Sequence, residues 1–134
     1  MRDFKDLKVW RLSHELTLDV YRITKDFPRD EMFGITSQIR RSSLSIPANI
    51  AEGSGRKSDR ELLRFLQIAR GSASELEYHL ILARDLGYMK NGEFGLLAAR
   101  LVAIQRMLTS FAQAVRAKIV PKGADRGSTS PGSR

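Results

Sequence analysis

The residue types that most often carry catalysis are sparse in this sequence. It contains two histidines, His14 and His79, and no cysteine. The histidines lie far apart, and neither belongs to a His-Glu-x-x-His or similar metal-ligand spacing, so metal sites and thiol catalysis have little support. Glu52, Glu75 and Glu77 are candidates for a general acid and base, but no nucleophile accompanies them. The sequence therefore predicts no catalytic residues, no metal site and no cofactor.

A cationic segment is the best candidate for binding. Residues 53–58, Gly-Ser-Gly-Arg-Lys-Ser, superficially resemble a phosphate-binding loop, but they follow a predicted helix instead of a strand and lack the first glycine at the required distance. Seven positive and three negative side chains lie between Arg40 and Arg70. The alternative is that these are ordinary charges on solvated helix faces. Because grouped cations neutralise phosphates, the predicted nucleic-acid-binding residues are Arg40, Arg56, Lys57, Arg60 and Arg64.

A polar ridge lies just before this segment. Arg41, Ser45, Asn49 and Glu52 are spaced by about one helical turn, and apolar residues flank them. Such a ridge suits a buried hydrogen-bond network at a subunit contact, in which a carboxylate pairs with Arg41. Exposure to solvent is the alternative.

The first predicted helix, over about residues 6–25, carries a second face beside its apolar stripe. Apolar residues recur there at three- and four-residue steps, which predicts an amphipathic helix. Trp10, the only tryptophan, and His14 lie on the second face. We interpret this pair as a candidate oligomer interface. The alternative is that a wide core stripe covers it.

The second predicted helix runs from about residue 29 or 30 to residue 52 and contains a proline. Pro47 removes a backbone hydrogen bond to Ser43 and costs roughly 3 kcal/mol in a helix interior. Because Ile46 and Ile50 keep one apolar face on both sides of it, we expect the helix to continue with a kink. Gly53-Ser54-Gly55 is expected to supply a glycine stop at its C-terminus. A second sector is apolar as well, which predicts burial on two sides; it contains Phe33, Leu44, Pro47, Ala48 and Ala51.

Two longer helices are predicted in the rest of the chain. Ser58 and Glu61 form a capping box that begins the third helix, and Gly71 opens a run of small residues that favours close helix approach. This helix ends at Gly87. Asn91 is expected to cap the fourth helix, which runs to about residue 119. Both helices have heptad seams: Leu62, Leu66, Ala69, Ala73, Leu76, Leu80 and Ala83 in the third, and Phe94, Leu97, Leu101, Ile104, Leu108, Phe111 and Val115 in the fourth.

The four predicted helices are joined by short loops, which is typical of a helix bundle. We expect an all-α, antiparallel up-down-up-down four-helix bundle over residues 1–120. Residues 121–134 are rich in Gly, Ser, Pro and charge, and they are predicted to form a disordered basic tail. The chain of 134 residues has 23 Lys and Arg against 15 Asp and Glu, a balance typical of proteins that bind polyanions. Without a secretory signal or an apolar run of ~20 residues, a soluble cytoplasmic protein with no membrane partner is expected.

These motifs resemble those of a known family. The block Ser-Ile-Pro-Ala-Asn-Ile-Ala-Glu-Gly at residues 45–53 is the most specific, and Gln-Ile-Arg-Arg at residues 38–41 precedes it. Over about residues 4–119, the sequence resembles the bacterial four-helix-bundle proteins encoded within 23S rRNA intervening sequences. The resemblance implies a protomer that assembles into a ring-like homopentamer. More distantly, the chain is similar to accessory variability proteins of diversity-generating retroelements, which are basic pentameric bundles that bind a reverse transcriptase and RNA.

The basic surface and the resemblance together predict a binding function. We expect a non-enzymatic homo-oligomer, by resemblance a pentamer, that presents its basic surface to RNA or another polyanion. The alternative is a protein–protein adaptor, such as an accessory subunit of a reverse transcriptase. Salt-dependent affinity for RNA would favour the first hypothesis, and a stable stoichiometric complex with a protein would favour the second.

Overall fold

The computed structural model describes residues 3–119, which form four α-helices and two short 3₁₀ turns. Each helix packs against the next one along the chain, and the first also packs against the fourth, which closes the bundle. The predicted all-α four-helix bundle is confirmed. The predicted tail at residues 121–134 lies outside the described residues. The helices are α1 (Lys8–Thr24), α2 (Ile35–Ser54), α3 (Asp59–Asp85) and α4 (Asn91–Lys118), and the turns are Phe4–Asp6 and Arg29–Glu31.

The core is built from the predicted heptad seams. All seven seam residues of α3, from Leu62 to Ala83, are buried, and their alternation of leucine and alanine lets neighbouring side chains interdigitate. In α4, Phe94 and Phe111 are only half-buried, and Ala112 takes a core position next to the second of them. The other five seam residues of α4 are buried: Leu97, Leu101, Ile104, Leu108 and Val115.

Helix α2 continues through Pro47 to Ser54, as the apolar pattern predicted. Proline has no N–H, so the carbonyl of Ser43 loses its usual helical donor. The hydroxyl of Thr17 on α1 lies 3.1 Å from that carbonyl oxygen and donates to it, while also lying 2.9 Å from the carbonyl of Ser13. A neighbouring helix therefore supplies the hydrogen bond that the proline removes.

The beginning of α2 differs from the prediction. The helix starts at Ile35 and not at residue 29 or 30, because residues 29–31 form a 3₁₀ turn and Gly34 stands at the N-cap. Glycine has no capping side chain, and the Glu31 carboxylate accepts the N–H of Ile35 at 3.3 Å instead. The same carboxylate accepts the hydroxyl of Tyr88 at 2.8 Å. This hydrogen bond raises the pKa of Tyr88 above its ordinary value of 10.0, and it fastens the α3–α4 loop to the turn before α2.

Helix α2 ends at Ser54, within the predicted Gly53-Ser54-Gly55 stop, but Gly53 itself does not end it. Gly53 is buried inside the helix, and Gly55, the residue that follows the helix, has a φ of −85°, so no left-handed glycine cap is present there. A Cβ on Gly53 would lie 2.9 Å from Cβ of Phe65.

The predicted patch of small residues at 71–74 does meet α2, since Ser72 Oγ lies 2.8 Å from Ser45 Oγ and Ala73 is buried. A Cβ on Gly71 itself would meet no neighbouring helix within 4 Å. Of the two glycines, Gly53 is therefore the one that lies at a close contact between α2 and α3.

The caps of α3 and α4 follow the predictions in part. Ser58 Oγ accepts the N–H of Glu61 at 3.1 Å, as expected for the N-cap of α3. For α4, the N-cap is Lys90 and not Asn91, since the helix begins at Asn91 itself. The Glu93 carboxylate accepts the N–H of Lys90 at 3.0 Å, and a carboxylate in the first turn also suits the helix dipole.

Within residues 3–119, one helix is long and apolar enough to cross a membrane by length and composition. It is α4, whose most apolar window of 18 residues has a mean hydropathy of 1.2 and is 22% buried. No such segment was expected from the sequence. Because α4 contributes its leucine seam to the bundle core, and core helices of soluble proteins meet the same criteria, the finding is weak evidence for a membrane.

Candidate nucleic-acid interface

The α2–α3 loop and the first turns of α3 hold four of the five predicted nucleic-acid-binding residues. The loop is short because α2 ends at Ser54 and the Ser58 cap begins α3 at once. A short loop restricts the positions that its side chains can reach, so the cations of this segment are held near one end of the bundle. The four residues, all of them exposed, are Arg56, Lys57, Arg60 and Arg64.

Arg56 is the most constrained of these cations. Its Nη2 lies 2.6 Å from a carboxylate oxygen of Glu52, and its Nε lies 3.6 Å from Glu61. Its guanidinium also stands over the ring of Phe65, 5.0 Å from the centroid. Two carboxylates therefore offset much of the charge of Arg56, and the residue acts mainly to hold the loop against α3.

Arg64 contacts the same aromatic ring as Arg56. Its guanidinium lies 4.4 Å from the centroid of Phe65, which is within the range of a cation–π interaction. Phe65 itself is buried, so its ring orients the two arginines and is not available to stack on a base. Lys57 makes no hydrogen bond or ion pair within the described residues, which leaves its ammonium for an outside partner.

The net charge of this cluster is modest. Glu52, Asp59 and Glu61 accompany the four cations, and two of these carboxylates contact Arg56. A phosphate approaching the loop would meet the remaining cations on the outer side of α3. The geometry favours contact with a phosphate backbone, because exposed cations are present and exposed aromatic side chains are not part of the cluster.

The structure does not bring Arg40 to this cluster. Arg40 lies near the beginning of α2, about 21 Å along the helix axis from its last residue, Ser54, at about 1.5 Å per residue. Its Nε donates to Thr24 Oγ1 at 2.9 Å, and its guanidinium stands over the ring of Tyr21 at 4.7 Å. The expectation that Arg40 lies close to the loop cations is wrong, because the unbroken helix α2 separates Arg40 from the loop at its other end.

The polar ridge is divided by the structure. Ser45 and Asn49 are half-buried between α2 and α3: Ser45 Oγ lies 2.8 Å from Ser72 Oγ, and Asn49 Nδ2 donates to Ser45 Oγ at 2.9 Å. Arg41 is exposed and makes no hydrogen bond or ion pair with any residue from 3 to 119. Glu52 pairs with Arg56 as described above. Part of the predicted network is thus satisfied inside the protomer, and Arg41 remains outside it.

Trp10 and His14 form a stacked pair on α1. Their ring centroids are 5.1 Å apart and the rings are nearly parallel, at 5°. Phe4 packs edge-on against Trp10 at 4.9 Å. His14 is exposed and Trp10 is half-buried, so the core covers part of this pair and leaves the rest at the surface.

Sequence reasoning did not assign the hydrogen-bond partners of two α3 residues that anchor α2. Ser72 completes the link to Ser45, and His79 Nδ1 lies 3.2 Å from Ser42 Oγ. The small residues after Gly71 were a signal that another helix lies near, but the sequence did not show which polar group faces which. Among residues 3–119, no group of three or more His, Asp or Glu side chains is arranged to hold a metal ion.

Similarity to known proteins agrees with the fold. The family described as 23S rRNA-intervening sequence protein matches residues 5–110, which is most of the chain. The chain belongs to this family. A solved structure of a protein with unknown function from the S23 ribosomal protein family, from Bacteroides thetaiotaomicron VPI-5482, is similar to this member with a TM-score of 0.71 and 27% identity; the match covers 78% of this chain and 97% of that chain. No curated protein matches the sequence.

Membership of the 23S rRNA-intervening sequence protein family confirms the resemblance drawn from the block at residues 45–53. This family is not a known enzyme family, and the similar structure carries a description of unknown function. Family membership therefore identifies a small helical protein.

Proposed function

We propose that this member of the 23S rRNA-intervening sequence protein family is a non-enzymatic, cytoplasmic, homo-oligomeric scaffold that binds RNA. The observation that carries the proposal is the group of exposed cations on the α2–α3 loop and the first turns of α3. These cations contact phosphates, and each copy of the chain in an oligomer adds another such group. Repeated weak contacts of this kind raise the affinity for one long polyanion without requiring new contacts.

The binding is expected to depend on backbone and shape. Phe65, the aromatic residue at the cluster, is buried beneath Arg56 and Arg64. Exposed aromatic rings are what single-stranded nucleic-acid binders use to stack on bases. Lys57 and Arg64 therefore serve as charge contacts, which makes the affinity sensitive to salt and tolerant of sequence.

Reversal of two cations tests this interface. Lys57→Glu together with Arg64→Glu should weaken RNA binding at least about tenfold at low salt. The negative slope of log affinity against log salt should become shallower by about 0.7–0.9 for each phosphate that the protein no longer neutralises. Fluorescence anisotropy with a single-stranded RNA and a duplex DNA across a salt series measures both quantities. The matched control is Lys90→Glu with Arg106→Glu, which changes the net charge equally, away from the α2–α3 loop.

An equal loss of affinity in both double variants would show that net charge alone attracts the RNA, and the α2–α3 loop would no longer be the interface. Absence of RNA binding by the unaltered protein at low salt would overturn the RNA-binding proposal itself. The oligomer mass of each variant, determined on the same sample, keeps a loss of assembly separate from a loss of phosphate binding.

The outer face of α2 supports the oligomeric part of the proposal. Leu44 on this face is 41% exposed, and Phe33, in the turn before α2, is 96% exposed. Both belong to the apolar sector that the sequence predicted to be buried. Ala48 is exposed on the same face, and Arg41 lies there without a partner within residues 3–119. A second copy of the chain would cover these apolar groups and supply a carboxylate to Arg41. The ring-like homopentamer implied by the resemblance is the assembly that we propose.

Removal of the unpaired arginine tests the assembly. Arg41→Ala should shift the protein toward smaller species, because a guanidinium buried at a subunit contact with its carboxylate contributes to specificity and to the stability of the complex. Sedimentation velocity over a range of concentrations measures the change. Arg106→Ala, at another exposed arginine on α4, is the control and should leave the mass unchanged. Unchanged sedimentation of Arg41→Ala would remove Arg41 from the proposed contact.

A protein–protein adaptor is the second candidate function, and the exposure of Phe33 favours it. A large aromatic side chain so fully exposed is typical of a residue that inserts into a partner. An accessory subunit for a reverse transcriptase would be such an adaptor. A stoichiometric complex that survives high salt and is lost in Phe33→Ala would favour the adaptor over the RNA scaffold, whose complexes dissociate as salt rises.

A further inference from the structure

A second cationic site lies at the other end of α2. A cleft of about 530 Å³ opens where the end of α1, the turn at residues 29–31 and the first turns of α2 meet. Three cations line it, namely Lys25, Arg29 and Arg40, and none of the described residues that line it is acidic. Its volume falls within the range of pockets that hold small ligands. Because the helices are antiparallel, this end of the bundle is remote from the α2–α3 loop.

One buried hydroxyl in the cleft has no partner. Thr36 lines the cleft and is 2% exposed, and its Oγ1 is a buried side-chain oxygen without a hydrogen bond within residues 3–119. Buried polar groups are nearly always hydrogen-bonded, and one left unpaired in a native structure calls for an explanation. Thr36 also lies in the first turn of α2, where backbone N–H groups lack intrahelical acceptors and the helix dipole favours an anion.

Arg40 is already positioned for a ligand. Thr24 Oγ1 accepts its Nε at 2.9 Å, and Tyr21 supports the guanidinium plane from one side at 4.7 Å. The two terminal nitrogens make no hydrogen bond within the described residues, so they present a fork of donors that matches the geometry of a phosphate. The nearby Glu31 carboxylate is engaged by Tyr88 and by the N–H of Ile35.

We propose that this cleft binds a phosphate group carried by a larger molecule, with Lys25, Arg29 and Arg40 as the cations and Thr36 as a hydrogen-bonding hydroxyl. Phe27, Pro28 and Met32 also line the cleft, and they give it apolar walls beyond the charged groups. A volume well above that of inorganic phosphate leaves room for an attached organic part. The phosphate belongs either to a free mononucleotide or to the 5′ end of an RNA, and this site is independent of the loop proposed as the RNA interface.

Calorimetric titration of the full chain with 5′-AMP and with inorganic phosphate at low salt tests the site. The unaltered protein should bind one 5′-AMP per chain more tightly than inorganic phosphate. Lys25→Gln with Arg29→Gln should weaken this binding at least about tenfold, since hydrogen bonds to charged groups are the strong ones. Arg11→Gln with Arg116→Gln, which removes the same charge from exposed positions on α1 and α4, should leave the affinity unchanged.

Thr36→Val tests whether the Thr36 hydroxyl binds the ligand or stabilises the fold. Valine keeps the shape of threonine and removes the unpaired hydroxyl, so the variant should melt at the same or a higher temperature while its affinity for 5′-AMP falls several-fold. A lower melting temperature with unaltered affinity would show that the hydroxyl serves the fold and would overturn its assignment to the ligand.

Two RNAs that differ in a 5′-phosphate distinguish the sources. Tighter binding of the 5′-phosphorylated form than of the 5′-hydroxyl form, lost in the Lys25 and Arg29 double variant, would assign the site to an RNA end. Binding of 5′-AMP with no difference between the RNAs would assign it to a free mononucleotide. Lys57→Glu with Arg64→Glu should retain 5′-AMP binding, so the two proposals fail separately. Absence of binding by every phosphate probe, or equal weakening by the Arg11 and Arg116 control, would overturn the site.

Discussion

Replacement of Gly53 by alanine should lower the free energy of unfolding by about 1–3 kcal/mol, the range for overpacking a close-packed interior. A Cβ at this position would lie 2.9 Å from Cβ of Phe65 and 3.1 Å from Cδ1 of Leu62. The first of these atoms is fixed to the α3 backbone, so α2 and α3 would have to separate. Urea unfolding monitored by far-ultraviolet circular dichroism measures the change. The separation would also disturb the Arg56 and Arg64 side chains that rest on Phe65.

Gly71→Ala is the matched control, because it makes the same chemical change in the neighbouring helix. Apart from the backbone of its own helix, no atom lies within 4 Å of a Cβ built on Gly71, and the residue is exposed in the interior of α3. Alanine there should raise the free energy of unfolding by about 0.4–1 kcal/mol, since it restricts the unfolded chain and favours the helix. Destabilisation by both substitutions to a similar extent would contradict the assignment of the close helix contact to Gly53.

The two glycines show which features of the fold helical periodicity can predict and which it cannot. The repeat of apolar residues predicted the buried seams of α3 and α4, because the face that a residue occupies follows from its position in the chain. The distance between two helices depends on which residues of both face each other, and one sequence does not contain that pairing. Gly53 was therefore assigned to a helix stop and Gly71 to a contact patch. The helix does end in the predicted Gly53-Ser54-Gly55 segment and the patch does meet α2 through Ser72, but the close approach lies at Gly53 and Gly71 itself is exposed.

The candidate site was predictable to the extent that it is local. Arg56, Lys57, Arg60 and Arg64 are close in sequence and remain close in the fold, since one short loop and two helical turns connect them. Arg40 was assigned to them through a count of charges, but an unbroken helix carries it to the other end of the bundle. There it joins Lys25 and Arg29, which precede it by many residues and come near only through the turn between α1 and α2.

Helix ends were less predictable than helix faces. The second helix was expected to start at residue 29 or 30 because acidic residues there suit a helix N-terminus. The structure uses the Glu31 carboxylate differently: it accepts the N–H of Ile35 from the preceding turn and the hydroxyl of Tyr88 from the α3–α4 loop. The carboxylate that caps α2 thus lies outside the helix and is also held by a tertiary hydrogen bond to Tyr88, which no local propensity contains.

Thr17→Val should lower the free energy of unfolding by about 1–3 kcal/mol, because Thr17 compensates for the proline in α2. The hydroxyl of Thr17 donates to the Ser43 carbonyl at 3.1 Å, and Ser43 is the residue whose helical donor Pro47 has removed. Ser43 is buried, so water does not replace the lost donor. Valine preserves the shape of the side chain, which confines the change to the hydrogen bond. Thermal and urea unfolding of the purified variant measure it.

The Pro47→Ala background shows whether the proline creates this dependence on Thr17. Alanine at position 47 restores a backbone N–H for the Ser43 carbonyl, so Thr17→Val should then cost much less than in the natural sequence. Such a double-mutant cycle should give a coupling free energy of about 0.5–3 kcal/mol, as expected for residues that share one partner. Additive effects would mean that Thr17 stabilises the bundle through its bond to Ser13 or through packing alone. Coupling between the two substitutions would show that Thr17 of α1 supplies the hydrogen bond that the Ser43 carbonyl loses to Pro47. That hydrogen bond would then be what allows α2 to continue through a buried proline.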